Sequence, residues 1–562
     1  MSTNLYDQFR LVPLEMNYLT SFDWASSRST TTTSALLLVL ISVLFIKHQN
    51  DKSKQKLRLI KTLKGKKLKL MPAPMRLPLI GNMYMMREYQ ANPWDGLNAI
   101  REQYGDIVSL QFGVHPMVLL SNLDYMKEVL LHKGEIFADR PDFSRFSIIF
   151  GGDKAHSLAL CDWSEIHKVR RKFCKRAVVP STFSARNQLL GSIITDHTKG
   201  LVAELQRRIS AEPTSARLAK TDILFLTGDI FMKFLCNDKY SHDDETYQRF
   251  NWGCDYVFYD INLSQVIDFL PYLSKIGIKR DYLRELKSVT DFCRFFIDDK
   301  IFEPRYMRHK LEMEARQASG EPMAEIDDET HDYLDKIILE HLANATIMKA
   351  DDYKVGFSDL LAGHTAVSNI LMKLFGHLAL DREAQDMLCE EARGVNLSSL
   401  SHRPPLPVAE AALLEALRFA SSPVVPHIAR EDTSIGDYFV PKGSNILFNY
   451  YHIHMSEEYW HEPRKYNLKR FLSENVDKTT KLKSYKLNVP KFFNPFSFGL
   501  RQCLGFRMVE SISMVAAASV CERFILTTDD EQLTHKLLEP RGTVALSPLE
   551  RCFEIKLTPR DN

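Results

Sequence analysis

Nine cysteines are scattered along this 562-residue chain, and one of them stands in a setting suited to chemistry. Cys503 lies in Asn494-Pro-Phe-Ser-Phe-Gly-Leu-Arg-Gln-Cys-Leu-Gly505, and a helix-patterned run to Cys521 follows at once. Gly499 lets the chain turn, Gly505 lets a flat ligand approach the backbone, and a helix starting at the cysteine aims N–H groups and a positive dipole end at the sulfur. Such conditions lower a thiol pKa and hold a thiolate against a metal ion. The other eight cysteines lack these flanks and read as small buried hydrophobes.

Two further groups stand out. In Glu415-Ala-Leu-Arg418 the acid and the base share one helix face. The flanks Ala411-Ala-Leu-Leu414 and Ala416-Leu417 are too apolar for a solvated pair, so the pair is expected to be buried and to need a third partner. In Leu361-Ala-Gly-His-Thr-Ala-Val-Ser-Asn369, Gly363, His364 and Thr365 sit inside an apolar helix pattern. An imidazole there titrates near neutrality and can both accept and donate a proton.

Phe496, Gly499, Arg501, Cys503 and Gly505 reproduce in full the F-x-x-G-x-R-x-C-x-G signature of the haem-thiolate monooxygenases. From about residue 71 to 560 the chain resembles a microsomal cytochrome P450. That resemblance implies haem b with Cys503 as the proximal iron ligand, and an NADPH-dependent reductase as electron donor, the NADPH not being bound directly. Trp460-His-Glu-Pro-Arg-Lys-Tyr-Asn-Leu-Lys-Arg-Phe471 resembles the family's W-x-x-P-x-x-F-x-P-x-R-F segment, with Tyr466 and Leu468 in place of Phe and Pro. Arg470 would then complete a structural triad with Glu415 and Arg418. His427 after Pro426, and Arg501, stand where relatives bind the haem carboxylates. Aligned on Arg170-Arg171, the family's W-x-x-x-R becomes His167-x-x-x-Arg171, with Trp163 one turn earlier, so both His167 and Trp163 are candidates for the haem contact.

The family's oxygen-activating helix carries A/G-G-x-D/E-T, and here the acid–alcohol pair is missing. If Thr365 takes the Thr position, the acid is His364; if Ser368-Asn369 sets the register, the acid is Thr365 and the Thr is Ala366. Altered proton delivery through Gly363, His364 and Thr365 is the expectation. This segment, Phe448-Asn-Tyr-Tyr451, Met455-Ser-Glu-Glu-Tyr-Trp460 and the PFSxGxRxC string together resemble the arthropod Spook-type Halloween enzymes of ecdysteroid synthesis. The implied substrate is a sterol early after 7-dehydrocholesterol. Two other classes compete: a reductase-independent haem-thiolate isomerase or dehydratase acting on a preformed peroxide, and a non-catalytic haem- or sterol-binding protein. NADPH dependence separates the first, and the complete cysteine loop argues against the second.

The elements that must position these groups follow from patterning. With 45% hydrophobic and 26% charged residues the chain is globular, which excludes disorder and a polytopic membrane protein. The net charge of +2 hides a strong local imbalance, because residues 47–70 hold ten Lys/Arg against Asp51 alone. Charge-free residues run from Ser29 to Ile46 just before that block. A cleaved signal peptide fails because the apolar run starts far from Met1 and no small-residue cleavage site follows, so a single transmembrane anchor is expected. The positive-inside rule puts residues 1–28 in the lumen and the body in the cytosol, at the endoplasmic reticulum by the microsomal resemblance. No nucleic-acid partner is expected.

Residues 47–82 read as a basic linker and a proline-rich hinge around Pro72, Pro74 and Pro78, and residues 83–562 as the catalytic domain. Ile107–Phe112 and Met117–Leu120 read as a hairpin around Gly113-Val-His-Pro, and Ser434–Val440 and Ser444–Phe448 as strands around Pro441-Lys-Gly443. Helical patterning fills the region between. The fold class is mostly α with small peripheral β-sheets, as in the cytochrome P450 fold, with an N-terminal membrane anchor.

Overall fold

The computed structural model describes residues 61–560 apart from 64, 90, 150, 152–153, 179, 182–183, 213–215, 262–264, 321–331, 344–349, 394, 396–405, 423–424, 477–482 and 547–550. The expected lumenal stretch 1–28 and anchor 29–46 lie outside the described residues. Among the described residues no helix is long and apolar enough to cross a membrane.

The proline-rich hinge is fixed to the body. The Asn82 amide donates to the carbonyl of Met75 at 2.8 Å and accepts the N–H of Gln111 at 2.8 Å. Gly81 is required there: its φ is +63°, and a Cβ would fall 2.0 Å from the Gln111 carbonyl oxygen.

Gln111 belongs to strand β1 (Ile107–Phe112), which pairs antiparallel with β2 (His115–Leu120). The turn is the two residues Gly113-Val114, shorter than the sequence suggests, because Phe112 pairs directly with His115. Pro116 therefore lies within β2, but it precedes Met117, where the parallel pairing to a later strand begins, so its missing N–H breaks no bond of that ladder.

Helices make up most of the remaining core. Those that bear on the site include α1 (Glu165–Val178), α2 (Lys220–Cys236), α3 (Glu245–Asp260), α4 (Ala350–Ala362), α5 (His364–Ala379) and α6 (Pro407–Ala420). Strands β3 (His427–Ile428) and β4 (Asn445–Phe448) complete the sheet in the order β1-β2-β4-β3, and α7 (Phe506–Arg523) follows the cysteine loop. Helix α5 is the central pillar, packed against α2, α3, α6 and α7. Small residues at the crossings, among them Ala411, Ala412 and Ala516 to Ala518, are wholly buried and let the helices close on one another. Helix α6 is built of strong helix formers behind Pro407 at its first turn. Its free N–H groups at Val408 and Ala409 are accepted by the Glu391 carboxylate at 2.7 and 2.9 Å.

The mostly α class with small peripheral sheets is what the sequence implies. One strand is not: Ser434–Val440 is a hairpin of its own, Thr433–Ile435 against Tyr438–Val440, turning at Gly436 with φ +53°.

Candidate active site

The cysteine loop turns through two left-handed backbone positions, Ser497 with φ +59° and Gly499. Gly499 has φ +79°, and a Cβ there would lie 2.1 Å from the Leu130 carbonyl oxygen, so only glycine fits. The turn is closed by the N–H of Gln502 on the Gly499 carbonyl at 3.2 Å and by the N–H of Cys503 on the Phe496 carbonyl at 3.0 Å. Helix α7 begins at Phe506 with Gly505 as its N-cap, three residues after the cysteine rather than at it. The N–H groups of Gly505 and Phe506 nonetheless point at Sγ.

Cys503 keeps accessible surface although protein surrounds it, so it faces an interior recess. Burial pushes its thiol up, outweighing the Gly505 and Phe506 N–H groups and the Arg171 guanidinium, which pull it down. The sequence pattern points to a lowered thiol pKa; desolvation reverses the sign. A thiolate at this sulfur therefore requires a cation in contact with it.

Above the loop lies a set of cations. Arg501 is buried; its Nε donates to the Ala138 carbonyl at 2.7 Å, Nη1 donates to His167 Nε2 at 2.7 Å, and Nη2 donates to the Cys161 carbonyl. Arg140, equally buried, donates to the carbonyls of Ala159, Val425 and Pro426, each at 3.1 Å. Arg171 donates to the Gln502 carbonyl at 2.6 Å and ties α1 to the loop. None of the three is ion-paired with a carboxylate among the described residues. Burial, then mutual repulsion, lowers Arg140 well below its ordinary value and brings Arg171 down to about 10. His427 is buried with Nδ1 2.7 Å from the Phe137 carbonyl, and burial together with Arg140 and Arg501 holds its pKa far down.

The two candidates for the haem contact, His167 and Trp163, resolve differently. Both His167 nitrogens are engaged, Nε2 with Arg501 and Nδ1 with Cys161 Sγ at 2.8 Å, and the ring is fully buried. Trp163 stands outside the helix, its ring 5.3 Å from that of His167, and its buried Nε1 has no hydrogen-bond partner among the described residues. The indole N–H, not the imidazole, is left to meet a ligand.

The triad assembles. Arg418 and Glu415 are both 0% exposed and form a two-pronged pair, Nε to Oε2 at 2.7 Å and Nη2 to Oε1 at 2.8 Å. Arg470 Nε joins Oε1 at 3.2 Å, and the Asn467 N–H donates to the same oxygen at 2.9 Å. The carbonyls of His454 and Pro463 take the remaining N–H groups of Arg418 Nη1 at 2.6 and 2.7 Å. Tyr466 adds a hydroxyl bond to the Ala412 carbonyl at 2.8 Å, and its ring stacks on His377 with centroids 4.2 Å apart.

The Gly363-His364-Thr365 group is placed differently from the sequence expectation. The long helix breaks at Gly363, whose N–H bonds to the Leu360 carbonyl, while the Ala366 N–H takes the Gly363 carbonyl, both at 3.1 Å. The Ala362 carbonyl, deprived of its helical partner, accepts the Thr365 hydroxyl at 2.8 Å, and His364 Nδ1 donates to the Leu361 carbonyl at 2.8 Å. His364 is 0% and Thr365 1% exposed, with the imidazole packed against Phe231 and Phe250. The half-accessible positions from 354 to 366 are Lys354, Val355, Ser358, Asp359, Leu360, Ala362, Gly363 and Ala366, most of them along one side of the helix. His364 and Thr365 are thus caps of a helix break turned into the core, and the position on the accessible face is Ala366. Neither side chain that the sequence singles out for proton delivery lies on that face in this structure.

Sequence reasoning missed Arg140 as a site cation; its only local signal is Phe137-Ala-Asp-Arg-Pro141, which does not foretell contact with residues nearly three hundred positions later. The family's haem fits the residues present. A Cβ built on Gly505 meets nothing within 4 Å, so open space lies beside the sulfur. Three carboxylate-free arginines and the orphaned Trp163 N–H match an anionic ligand. Among the described residues no group of three or more His, Cys, Asp or Glu is placed to hold a metal ion, so a metal at Cys503 needs its other ligands from a prosthetic group.

The model of the cytochrome P450 family matches residues 71–553, and the chain belongs to that family. It is therefore a haem-thiolate monooxygenase, with iron held by a cysteine thiolate and electrons supplied through a reductase. The chain is 29% identical over 521 residues to cytochrome P450 307a1 of Drosophila melanogaster, covering 87% of this chain and 89% of the relative. It is 26% identical over 454 residues to cytochrome P450 1A1 of Limanda limanda, and 27% identical over 450 residues to cytochrome P450 1A1 of Sparus aurata. Those alignments cover 78% and 77% of this chain and 81% of each relative.

Proposed function

We propose that this monooxygenase oxidises a sterol at the endoplasmic reticulum membrane, early in ecdysteroid biosynthesis. The observation that carries the reading is the departure from the acid–alcohol motif around Gly363, with the neighbouring strings, in the manner of the Spook-type enzymes. The longer match to an arthropod relative than to the fish relatives supports it. The strings themselves are packing residues: Asn449 caps the short helix Tyr450–Met455 through the His452 N–H, and Trp460 Nε1 donates to the Ile453 carbonyl at 2.9 Å.

When bound, haem supplies the reductive activation of dioxygen. Cys503 would hold the iron, its sulfur oriented by two N–H groups, and Arg501, Arg140 and Trp163 would receive the haem carboxylates. Glu415, Arg418 and Arg470 hold the segments beneath the loop in place. On the accessible face of the broken helix Ala366 offers no proton, which keeps a second reading in play: an isomerase or dehydratase working on a substrate whose O–O bond is already made.

Microsomes containing the full chain, incubated with 7-dehydrocholesterol and related sterols with and without NADPH, test both readings. Loss of sterol only with NADPH is expected. Turnover of a sterol peroxide without NADPH would replace the first reading by the second. Cys503→Ala should abolish the red-shifted Soret band of the reduced CO complex, and an unchanged band would remove Cys503 from its role.

A further inference from the structure

Arginine carries five N–H donors and no acceptor. His167 Nε2, 2.7 Å from Arg501 Nη1, must therefore present its lone pair, and the single ring proton sits on Nδ1, directed at Cys161 Sγ 2.8 Å away. The opposite tautomer would set two N–H groups against each other. Burial and the guanidinium groups of Arg501, Arg171, Arg170 and Arg140 drive the His167 pKa down to about 2, so the ring stays neutral. The Ala138 and Cys161 carbonyls and one imidazole that Arg501 meets are uncharged, and the Cys161 thiol, which also faces the guanidinium, is held protonated by burial. No carboxylate among the described residues pairs with Arg501, and its charge is undiminished.

We propose that His167 is a positioning residue that fixes Arg501 toward the haem carboxylates, in the one tautomer that the Cys161 sulfur selects, without neutralising it. An acid at this place would hold the guanidinium equally well and cancel its charge. A leucine would leave the charge and lose the orientation. The role rests on the haem reading above, and differs from a haem contact because the ring has no N–H to give.

The test uses the full haem-loaded protein in detergent and measures haem transfer to an acceptor apoprotein together with the reduction potential. His167→Leu should release haem about tenfold faster, and His167→Gln, whose amide offers an acceptor and a donor in similar places, within about twofold of the parent. His167→Asp should release haem at least as fast as the leucine variant and shift the potential to more negative values, although it keeps the hydrogen bond. Cys161→Ser should behave like the parent. Equal release from the parent and the leucine variant would overturn the proposal, as would haem held by the aspartate variant as firmly as by the glutamine variant. If the leucine variant does not fold, the glutamine–aspartate pair still decides. A normal reduced CO spectrum in the variants that retain haem keeps the haem reading intact whichever way His167 falls; absence of that spectrum from the parent would overturn the haem reading itself.

Discussion

Two regions of the molecule bury arginine in opposite ways. Arg145, on the short helix Ser144–Ile149, is fully enclosed and meets Asp268 at 2.6 Å and Asp260 at 2.8 Å, with the Tyr282 hydroxyl donating to Asp260 at 2.6 Å. Burial opposes its charge, yet Asp260 and Asp268 prevail and its pKa rises. Arg140, Arg171 and Arg501 have carbonyls and an imidazole instead, and their pKa values fall. A buried cation with its carboxylates in place belongs to the scaffold. A group of them without carboxylates is a receptor, complete only when an anion arrives.

That contrast breaks most visibly where a paired cation is stripped of its partner. Glu415→Ala leaves Arg418 and Arg470 with carbonyls alone, and the cost should be about 3–5 kcal/mol. The variant is expected not to accumulate with haem, and a normally folded but slow enzyme would contradict the structural role. Arg145→Met reverses the sign of the orphan, leaving Asp260 and Asp268 unpaired. A loss approaching the same 3–5 kcal/mol should appear as a lower denaturation midpoint, and Asp260→Asn with Asp268→Asn added should restore part of it.

A third manner of burial, the neutral one, is probed by pH. An unfolded histidine takes up a proton near 6.5, whereas burial holds His364 down to about 4. Between those values the unfolded chain binds more protons, so stability falls as pH falls through that window. His364→Leu should lose roughly 2 kcal/mol less between pH 7 and 5, read from denaturation midpoints at both pH values. The smallest expected effect on folding is at the receptor side: Arg171→Met removes one bond to a carbonyl and should cost the haem-free fold no more than about 1 kcal/mol. Its haem should nevertheless dissociate faster, and a large folding defect would place Arg171 with the scaffold.

How much of this was legible depends on the range of the interactions. The cysteine loop and the Glu415–Arg418 pair are local, so spacing and flanking apolarity expose them. Arg470 came from resemblance and lies where that placed it. The orientation of His364 and Thr365 was not legible, because a regular helix read through Gly363 gives the wrong rotational phase once the turn tightens there. The receptor was half legible: Arg501 and Arg171 stand in readable motifs, but Arg140 is recruited by carbonyls at 425 and 426, and no local pattern encodes that meeting. Gly436-Asp437 was a visible turn signal for the hairpin at 433–440, overlooked inside an apparently continuous strand.

The tyrosine at 466, where the family pattern has phenylalanine, ties three segments together. Its hydroxyl reaches the backbone of α6 one turn before Glu415, and its ring lies flat on His377, whose buried Nε2 has no hydrogen-bond partner among the described residues. Three sites on separate segments have thereby become interdependent, and a change at one alters what the other two tolerate. Phenylalanine at 466, although it is the residue of the family pattern, would lose the hydroxyl bond to α6 and leave only the stack on His377, so the three segments would be tied together less tightly.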